Sequence, residues 1–251
     1  MTQRLGSRLA GGLLTVLVLA GCGSNGTPDS PDRAGGATPD RTAACVTAQV
    51  RQDAELMADV DLDGDGTPES VLRGTGSDAC GVVLFADLAD RAGGTTTVAA
   101  RVELDQGIRL TATDVSVVDL PGRTGQLLLV KPPHTRGGFQ ARLFGYADGQ
   151  LDELTAEGRP VFGFIATDVQ SSPTAVECVG DGFAVTEARA HEPIGVVPAW
   201  DIYRTTYSVD GNTVTRGSTN EVADNILVKE LERQYGQLTS YDFFQGCLAG
   251  Q

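Results

Sequence analysis

Short apolar or alternating runs, bounded by glycine, proline and aspartate, recur through the middle of the chain. Four of these runs are 70–73, 81–85, 127–130 and 140–144. Runs of this length, rich in aliphatic and aromatic residues, are typical of β-strands. The pairs Asp148-Gly149 and Asp210-Gly211 predict hairpin turns, because Asp-Gly tolerates the positive φ angles of two-residue loops. The pattern therefore predicts a mainly β domain with antiparallel sheets.

A weak internal repeat links these runs. Segments 61–73 and 119–131 share Asp-Leu, a Gly after one variable residue, six more variable residues, two apolar residues and a base. With one residue inserted, 84–85 aligns with 143–144, both Leu-Phe. A period of about 50 to 60 residues predicts propeller-like blades or a related β-repeat array. Chance similarity is the alternative, since these dipeptides are common.

One α-helix is predicted near the C-terminus. Ser218 and Glu221 have the spacing of a capping box, which marks a helix start. An apolar stripe follows at four- or five-residue spacing: Val222, Ile226, Leu231 and Tyr235. Gly236 is a natural stop for this helix. We expect the stripe to pack against the sheets.

The N-terminal segment has the pattern of an export signal. Arg4 and Arg8 precede a small and apolar stretch over 9–21. That stretch is shorter than the roughly 20 residues that span a bilayer, so it fits a signal peptide. It ends in Leu-Ala-Gly at 19–21, followed by Cys22, and so resembles the lipobox of bacterial lipoproteins. The resemblance implies cleavage after residue 21 and lipidation of Cys22, which would hold the protein on the extracytoplasmic face of the cell membrane.

Composition separates a tether from a folded domain. Residues 22–41 contain Gly, Ser, Pro, Thr and Asp in abundance and no large apolar side chain, which predicts a disordered tether. Residues 42–251 are then a single β-rich extracytoplasmic domain. Loss of residues 1–21 removes two bases and no acid, so the net charge of −14 becomes −16. A chain this acidic is repelled by phosphate backbones, which argues against nucleic-acid binding.

Five cysteines are present, and Cys22 leaves an even number. The remaining four are Cys45, Cys80, Cys178 and Cys247. In an exported protein they predict two disulfides, with three possible connectivities. We favour 45 with 80 and 178 with 247, which ties each end of the domain to its nearer interior element. Four free buried thiols are the alternative, and a zinc site is disfavoured because no two cysteines have C-x-x-C spacing.

The segment 61–69, Asp-Leu-Asp-Gly-Asp-Gly-Thr-Pro-Glu, is the one site-like motif. Carboxylates at alternate positions, with glycines that let the chain turn, form the oxygen cage that Ca²⁺ prefers. A complete EF-hand is excluded, because its twelfth position is Leu72 rather than Glu. The spacing D-x-D-x-D-G-x-x-E before a strand resembles the calcium loop of FG-GAP and VCBS repeats. By that resemblance a structural Ca²⁺ is bound by Asp61, Asp63, Asp65, the Thr67 carbonyl and Glu69. The second repeat copy has Pro121 and Arg123 at ligand positions, and we expect it to bind no metal.

Catalytic signals are weak. His134 and His191 lie in loop-like segments without a G-x-S-x-G, S-x-x-K or H-E-x-x-H motif in the chain. The aromatic series Trp200, Tyr203 and Tyr207 is either a sugar-binding platform or a row of half-buried core positions, and alternate spacing favours the core. The sequence thus predicts a non-catalytic surface lipoprotein, resembling actinobacterial-type ones, that binds or scaffolds an envelope protein or a glycan. An envelope-directed hydrolase and an accessory subunit of an envelope complex or sensor are the alternatives.

Overall fold

The computed structural model describes residues 42–90, 93–134, 138–165, 172–191, 199–241 and 243–249. The predicted signal peptide, the lipidation site at Cys22 and the tether lie outside these residues. Within the described ranges no helix is both long and apolar enough to cross a membrane.

The described chain is mainly β-structure. In chain order its first nine strands are β1 Glu55–Val60, β2 Glu69–Thr75, β3 Val82–Ala89, β4 Thr95–Val102, β5 Val115–Val118, β6 Leu127–Val130, β7 Phe139–Gln140, β8 Arg142–Ala147 and β9 Gln150–Glu153. The others are β10 Thr155–Ala156, β11 Arg159–Pro160, β12 Phe164–Ile165, β13 Thr174–Val179, β14 Gly182–Ala190, β15 Ala199–Asp210, β16 Thr213–Leu227 and β17 Phe243–Gln245. The prediction of a mainly β domain is confirmed.

These strands form three larger sheets and one small pair. The first sheet has the order β1-β2-β3-β4 and the second the order β5-β6-β8-β9, and both are antiparallel. The third sheet has the order β11-β10-β16-β15-β14-β13-β17, and β7 pairs with β12. Only two of its pairings, β10 with β16 and β13 with β17, are parallel among the described strands. The predicted antiparallel sheets are therefore confirmed.

The second sheet lies between the other two and is buried on both faces. Leu128 and Val130 face a core shared with the first sheet. Leu127 and Leu129 face a core shared with the third sheet. In β8, Phe144 faces the core shared with the first sheet and Leu143 the core shared with the third. Burial on both faces explains why β6 is a continuous apolar run rather than an alternating one.

Three short helices are present in the described chain: α1 Ala48–Gln52, α2 Val228–Gln234 and α3 Gly236–Thr239. The predicted single helix beginning after Ser218 is wrong. Ser218 lies in β16, Glu221 pairs with Tyr203 of β15, and α2 begins nine residues later than expected. The long strand β15 supplies backbone partners to this segment, and tertiary pairing overrides the local capping signal. Only the end of the apolar stripe, including buried Leu231, is helical.

The two predicted hairpins are present, one of them displaced. Asp148 and Gly149 form the two-residue turn between β8 and β9, with φ of 53° and 81°. In the other hairpin Asp210 pairs with Thr213, so the turn residues are 211–212 rather than Asp-Gly. Gly211, with φ of 54°, takes the first turn position.

Both disulfides have the pairing favoured from the sequence. Cys45 bonds Cys80, with Cα atoms 5.8 Å apart. Cys178 in β13 bonds Cys247 after β17, with Cα atoms 6.3 Å apart. The second bond fixes the C-terminal segment, whose Ala249 N–H then donates to the Val117 carbonyl of β5. The segment 243–249 is thereby tied to both the second and the third sheet.

Candidate calcium site

The acidic motif forms the loop between β1 and β2. Asp61, Asp63 and Asp65 each place one carboxylate oxygen within 4.8 Å of the others. Gly64 and Gly66 have φ of 73° and 90°, a conformation that L side chains rarely adopt. The glycines let the chain reverse twice over a short distance, and this turns the alternate carboxylates toward one point.

Backbone amides hold the three carboxylates in place. Gly66 N–H donates to Asp61 Oδ2 at 3.0 Å, and Thr67 N–H donates to Asp65 Oδ1 at 2.7 Å. Asp65 N–H donates to Asp63 Oδ1 at 3.1 Å. The other oxygen of Asp61, Oδ1, is buried and has no hydrogen-bond partner among the described residues. A buried carboxylate oxygen without a partner is costly, so this atom is the one that most needs a cation.

Glu69, at the start of β2, closes the loop. Its Oε2 accepts the Leu62 N–H at 2.9 Å. Burial raises the pKa of the Glu69 carboxyl, the Leu62 hydrogen bond lowers it, and the negative charges of Asp63, Asp61 and Asp65 raise it further. Those charges place Glu69 in the electrostatic field of the three aspartates. The three aspartates of the expected ligand set are therefore brought together with Glu69 in their field, while Asp59 is engaged elsewhere, accepting the Ser70 hydroxyl at 2.7 Å.

The donor set fits a hard divalent cation. Ca²⁺ takes six to eight oxygens, and carboxylates and carbonyls are its usual protein ligands. Three clustered carboxylates in one short loop, one of them carrying an unpartnered buried oxygen, and a fourth carboxylate at the end of the loop match that chemistry. In Zn²⁺ sites, by contrast, His and Cys are the common ligands.

The second repeat copy packs directly against this loop. Gln126 Oε1 accepts the Asp61 N–H at 3.0 Å, and the Gln126 N–H donates to the Asp61 carbonyl at 2.7 Å. A Cβ on Gly125 would lie 2.2 Å from the Leu62 carbonyl oxygen. The β1–β2 and β5–β6 loops therefore behave as one unit, and the predicted metal ligands are held from outside their own hairpin.

Arg123 occupies the repeat position of Asp65 in the second loop. Its Nη1 donates to the Gly211 carbonyl and its Nη2 to the Tyr146 carbonyl at 3.3 Å. Burial lowers the pKa of the Arg123 guanidinium. In this loop a side-chain cation binds backbone oxygens of strand β8 and of the β15–β16 turn. Sequence reasoning excluded metal binding here but missed this link, because the carbonyl partners are distant in the chain.

A cleft of about 370 Å³ opens beside these loops. Asp63, Arg123, Tyr146 and Asp210 contribute its polar lining. Burial raises the pKa of the Tyr146 hydroxyl, and the charges of Asp63 and Glu69 raise it further. The negative field of the loop 61–69 thus extends into the cleft.

The two histidines lie apart from this loop and each faces a carboxylate. His134 Nε2 is 2.9 Å from Asp105 Oδ2, and His191 Nδ1 is 2.7 Å from Asp201 Oδ1. Asp201 Oδ1 also accepts the Asn225 N–H at 2.9 Å. Asn225 has φ of 50° and lies where the β15–β16 register shifts, so the His191 pair lies beside an irregularity in that strand pairing.

The aromatic series does not form a platform. Trp200 is buried, with 3% of its surface exposed, in the core beneath α2 and α3. The Arg189 guanidinium covers the Tyr203 ring at 4.5 Å, and Tyr207 stacks on Phe183 at 5.1 Å. The core interpretation of these residues fits the structure.

Comparison of the chain with protein families, curated proteins and solved structures finds no match.

Proposed function

We propose that residues 42–251 form a non-catalytic binding or scaffold domain that one structural Ca²⁺ stabilises in the loop 61–69. The observation that carries this proposal is the buried, unpartnered Oδ1 of Asp61 beside two further carboxylates within 4.8 Å. A cation there offsets the mutual repulsion of the carboxylates and satisfies the oxygen that the protein leaves without a partner.

The ion has a structural role in this proposal. The hydrogen bonds that hold the loop are made by carboxylates and backbone amides within the hairpin and by Gln126 from the β5–β6 loop. Gln126 accepts the Asp61 N–H through its side chain and donates its own backbone N–H to the Asp61 carbonyl. Because of these two bonds, ordering of the loop 61–69 by Ca²⁺ also fixes the β5–β6 loop of the second sheet.

We further propose that the first two sheets are propeller-like repeats. Both have four antiparallel strands in the same order, and the repeated Asp-Leu segments occupy the loop between their first two strands. The first copy keeps a metal loop. In the second copy, Arg123 stands at the position of Asp65, and its guanidinium donates to carbonyl oxygens.

A hydrolase is the alternative function. A histidine oriented by a carboxylate is one part of a nucleophile–His–Asp arrangement. The His191 ring is hydrogen-bonded to Asp201, and Asp201 also accepts the Asn225 backbone N–H, at an irregular position in the β15–β16 pairing. This double contact favours a structural clamp over a proton relay.

The proposed address is the extracytoplasmic face of the cell membrane, with a lipid on Cys22 and the tether 22–41 between membrane and domain. The two disulfides support export, since such bonds persist in oxidising compartments. The partner is then an envelope protein or a glycan.

The calcium proposal is tested by thermal unfolding in excess Ca²⁺ and in excess EDTA. Binding only to the folded state stabilises it by about 2.7 kcal/mol at a free concentration 100 times Kd. We expect a clear rise in Tm with Ca²⁺ and little rise with Mg²⁺, which demands stricter octahedral geometry. Asp63→Ala should abolish the calcium-dependent rise.

Asp119→Ala is the matched control. Asp119 occupies the repeat position of Asp61 in the second loop, and its side chain is exposed. This variant should keep the full calcium-dependent rise. Equal melting of the unmodified protein in Ca²⁺ and EDTA would refute the proposal, as would equal loss of the response in both variants.

A further inference from the structure

A second cavity, of about 570 Å³, lies where the end of β4, the start of β3 and the β7–β8 junction meet. Its apolar part is formed by Val82, Val102, Leu104 and Ile108. Its polar part includes two arginines and two acids: Arg101, Arg142, Glu103 and Asp105. The volume is within the range of small-molecule sites, about 300–1,000 Å³. None of these residues belongs to the calcium loop.

Arg142 is the unusual member of this lining. The residue is only 6% exposed, yet its hydrogen bonding is incomplete. Nη1 donates to Glu153 Oε2 at 2.8 Å, whereas Nη2 lies 3.5 Å from Glu103 Oε2. Nε is buried and has no hydrogen-bond partner in the described chain. A guanidinium has five N–H donors, so the edge formed by Nε and Nη2 is underused.

That edge carries the donor pattern of a carboxylate receptor. Two parallel N–H···O bonds from one side of a guanidinium are the strong, bidentate form of carboxylate recognition. Glu103 can leave this edge at low cost, because its side chain is 76% exposed and its contact with Arg142 is long. Arg101 adds a second, exposed cation to the same cavity.

We propose that this cavity binds an amino acid or short peptide with free ends, through its carboxylate, its amine and an apolar side chain. Arg142 takes the carboxylate on its Nε–Nη2 edge, with Arg101 adding charge. Glu103, released from Arg142, accepts the amine. The apolar side chain lies on Val82 and Leu104. This ligand matches the cavity in charge, because two cations and two acids line it together with apolar surface.

The buried partner Glu153 supports the same arrangement. Burial raises the pKa of the Glu153 carboxyl, while Arg142 lowers it, and its Oε1 is buried without a partner among the described residues. The one hydrogen bond between Arg142 and Glu153 therefore leaves Nε of the arginine and Oε1 of the glutamate without partners among the described residues. A second carboxylate on the other edge of Arg142 completes the coordination of the guanidinium.

The test is titration of the full mature protein with the dipeptide alanyl-leucine, followed by NMR and by calorimetry. We expect saturable binding with a Kd of about 1 mM or tighter, as the ligand's size supports. Shifts should be confined to residues around the cavity. Alanyl-leucine amide, which lacks the carboxylate, should bind at least about tenfold more weakly.

Three variants locate the site. Arg101→Gln changes an exposed side chain and should weaken alanyl-leucine several-fold without unfolding the protein. Arg142→Met should abolish binding, and if that variant does not fold, Arg101→Gln decides. Arg216→Gln removes an exposed charge outside the cavity and should bind normally. Absence of saturable binding, equal affinity for the dipeptide and its amide, or equal weakening by Arg216→Gln would each overturn the proposal.

Discussion

Gly125 and Gly122 lie in the same loop and share a left-handed backbone, with φ of 75° and 82°, but their surroundings differ. A Cβ on Gly125 would lie 2.2 Å from the Leu62 carbonyl oxygen, well inside van der Waals contact. A Cβ on Gly122 would meet nothing within 4 Å. Gly125 is thus required both for its backbone conformation and for the close approach of the two loops, whereas Gly122 is required only for the first.

We predict that Gly125→Ala destabilises the protein more than Gly122→Ala. Both variants lose about 1 kcal/mol, because alanine is strained at positive φ. Gly125→Ala should lose a further 1 to 3 kcal/mol, roughly the cost of overpacking, because backbone must move. Since that backbone adjoins Asp63, the calcium-dependent rise in Tm should also shrink. Urea unfolding with and without Ca²⁺ measures both effects, and equal losses in the two variants would contradict the proposed contact.

The acidic loop could be located from sequence because its ligands are local. Asp61, Asp63 and Asp65 are spaced so that one turn brings them together, whatever surrounds the loop. The partners that complete the site are remote: Gln126 lies 65 residues from Asp61, and Arg123 lies 88 residues from the Gly211 carbonyl. Such contacts depend on how sheets stack, and no single stretch of sequence records them.

Secondary-structure elements, too, could be predicted where their own residues determine them and not where remote partners do. Strand β6 could be predicted, because a run buried on both faces is apolar throughout. The segment 218–227 could not, because its short-range spacing imitates a helix start while β15 supplies its actual hydrogen-bond partners. Strand β16 is almost entirely exposed, so its sequence lacks the alternation of apolar and polar residues that marks a half-buried strand.

At the scale of elements, Arg123 connects the β5–β6 loop to the β15–β16 turn. Its pKa is lowered by burial, so its charge is partly desolvated and the two carbonyl contacts must offset that cost. We predict that Arg123→Gln destabilises the protein by about 1 to 3 kcal/mol, the cost of leaving buried acceptors unsatisfied. Hydrogen exchange should accelerate over residues 210–213.

Arg216→Gln is the matched control for this prediction, because Arg216 lies in β16 of the same hairpin with an exposed side chain. Its effect should stay within about 0.5 kcal/mol, as for most surface substitutions. If both variants leave exchange over 210–213 unchanged, Arg123 does not hold the turn.

For the whole molecule, the five cysteines bear on both the proposed cellular location and the fold. Four form two disulfides that tie both ends of the described domain, and this leaves Cys22 for the lipid in the proposed anchor. The lipobox resemblance set Cys22 apart and left an even number of cysteines, and the two described bonds account for those four. A chain net charge of −14 disfavours electrostatic attraction to anionic lipid, so in the proposed arrangement the lipid on Cys22 provides the attachment.

Substitution of Cys22 should therefore change membrane attachment, whereas substitution of a disulfide pair should change stability. In the native host, Cys22→Ser should move the protein from the membrane fraction to the medium or to an uncleaved precursor, with an unchanged Tm for the domain. The double variant Cys178→Ala, Cys247→Ala should remain in the membrane fraction. It should lose about 4 kcal/mol, because the bond closes a loop with a sequence separation of 69 residues. Detergent phase partition and urea unfolding measure the two properties. Membrane retention of mature protein with Cys22→Ser would refute the lipid anchor, because nothing else in the proposed arrangement attaches the domain.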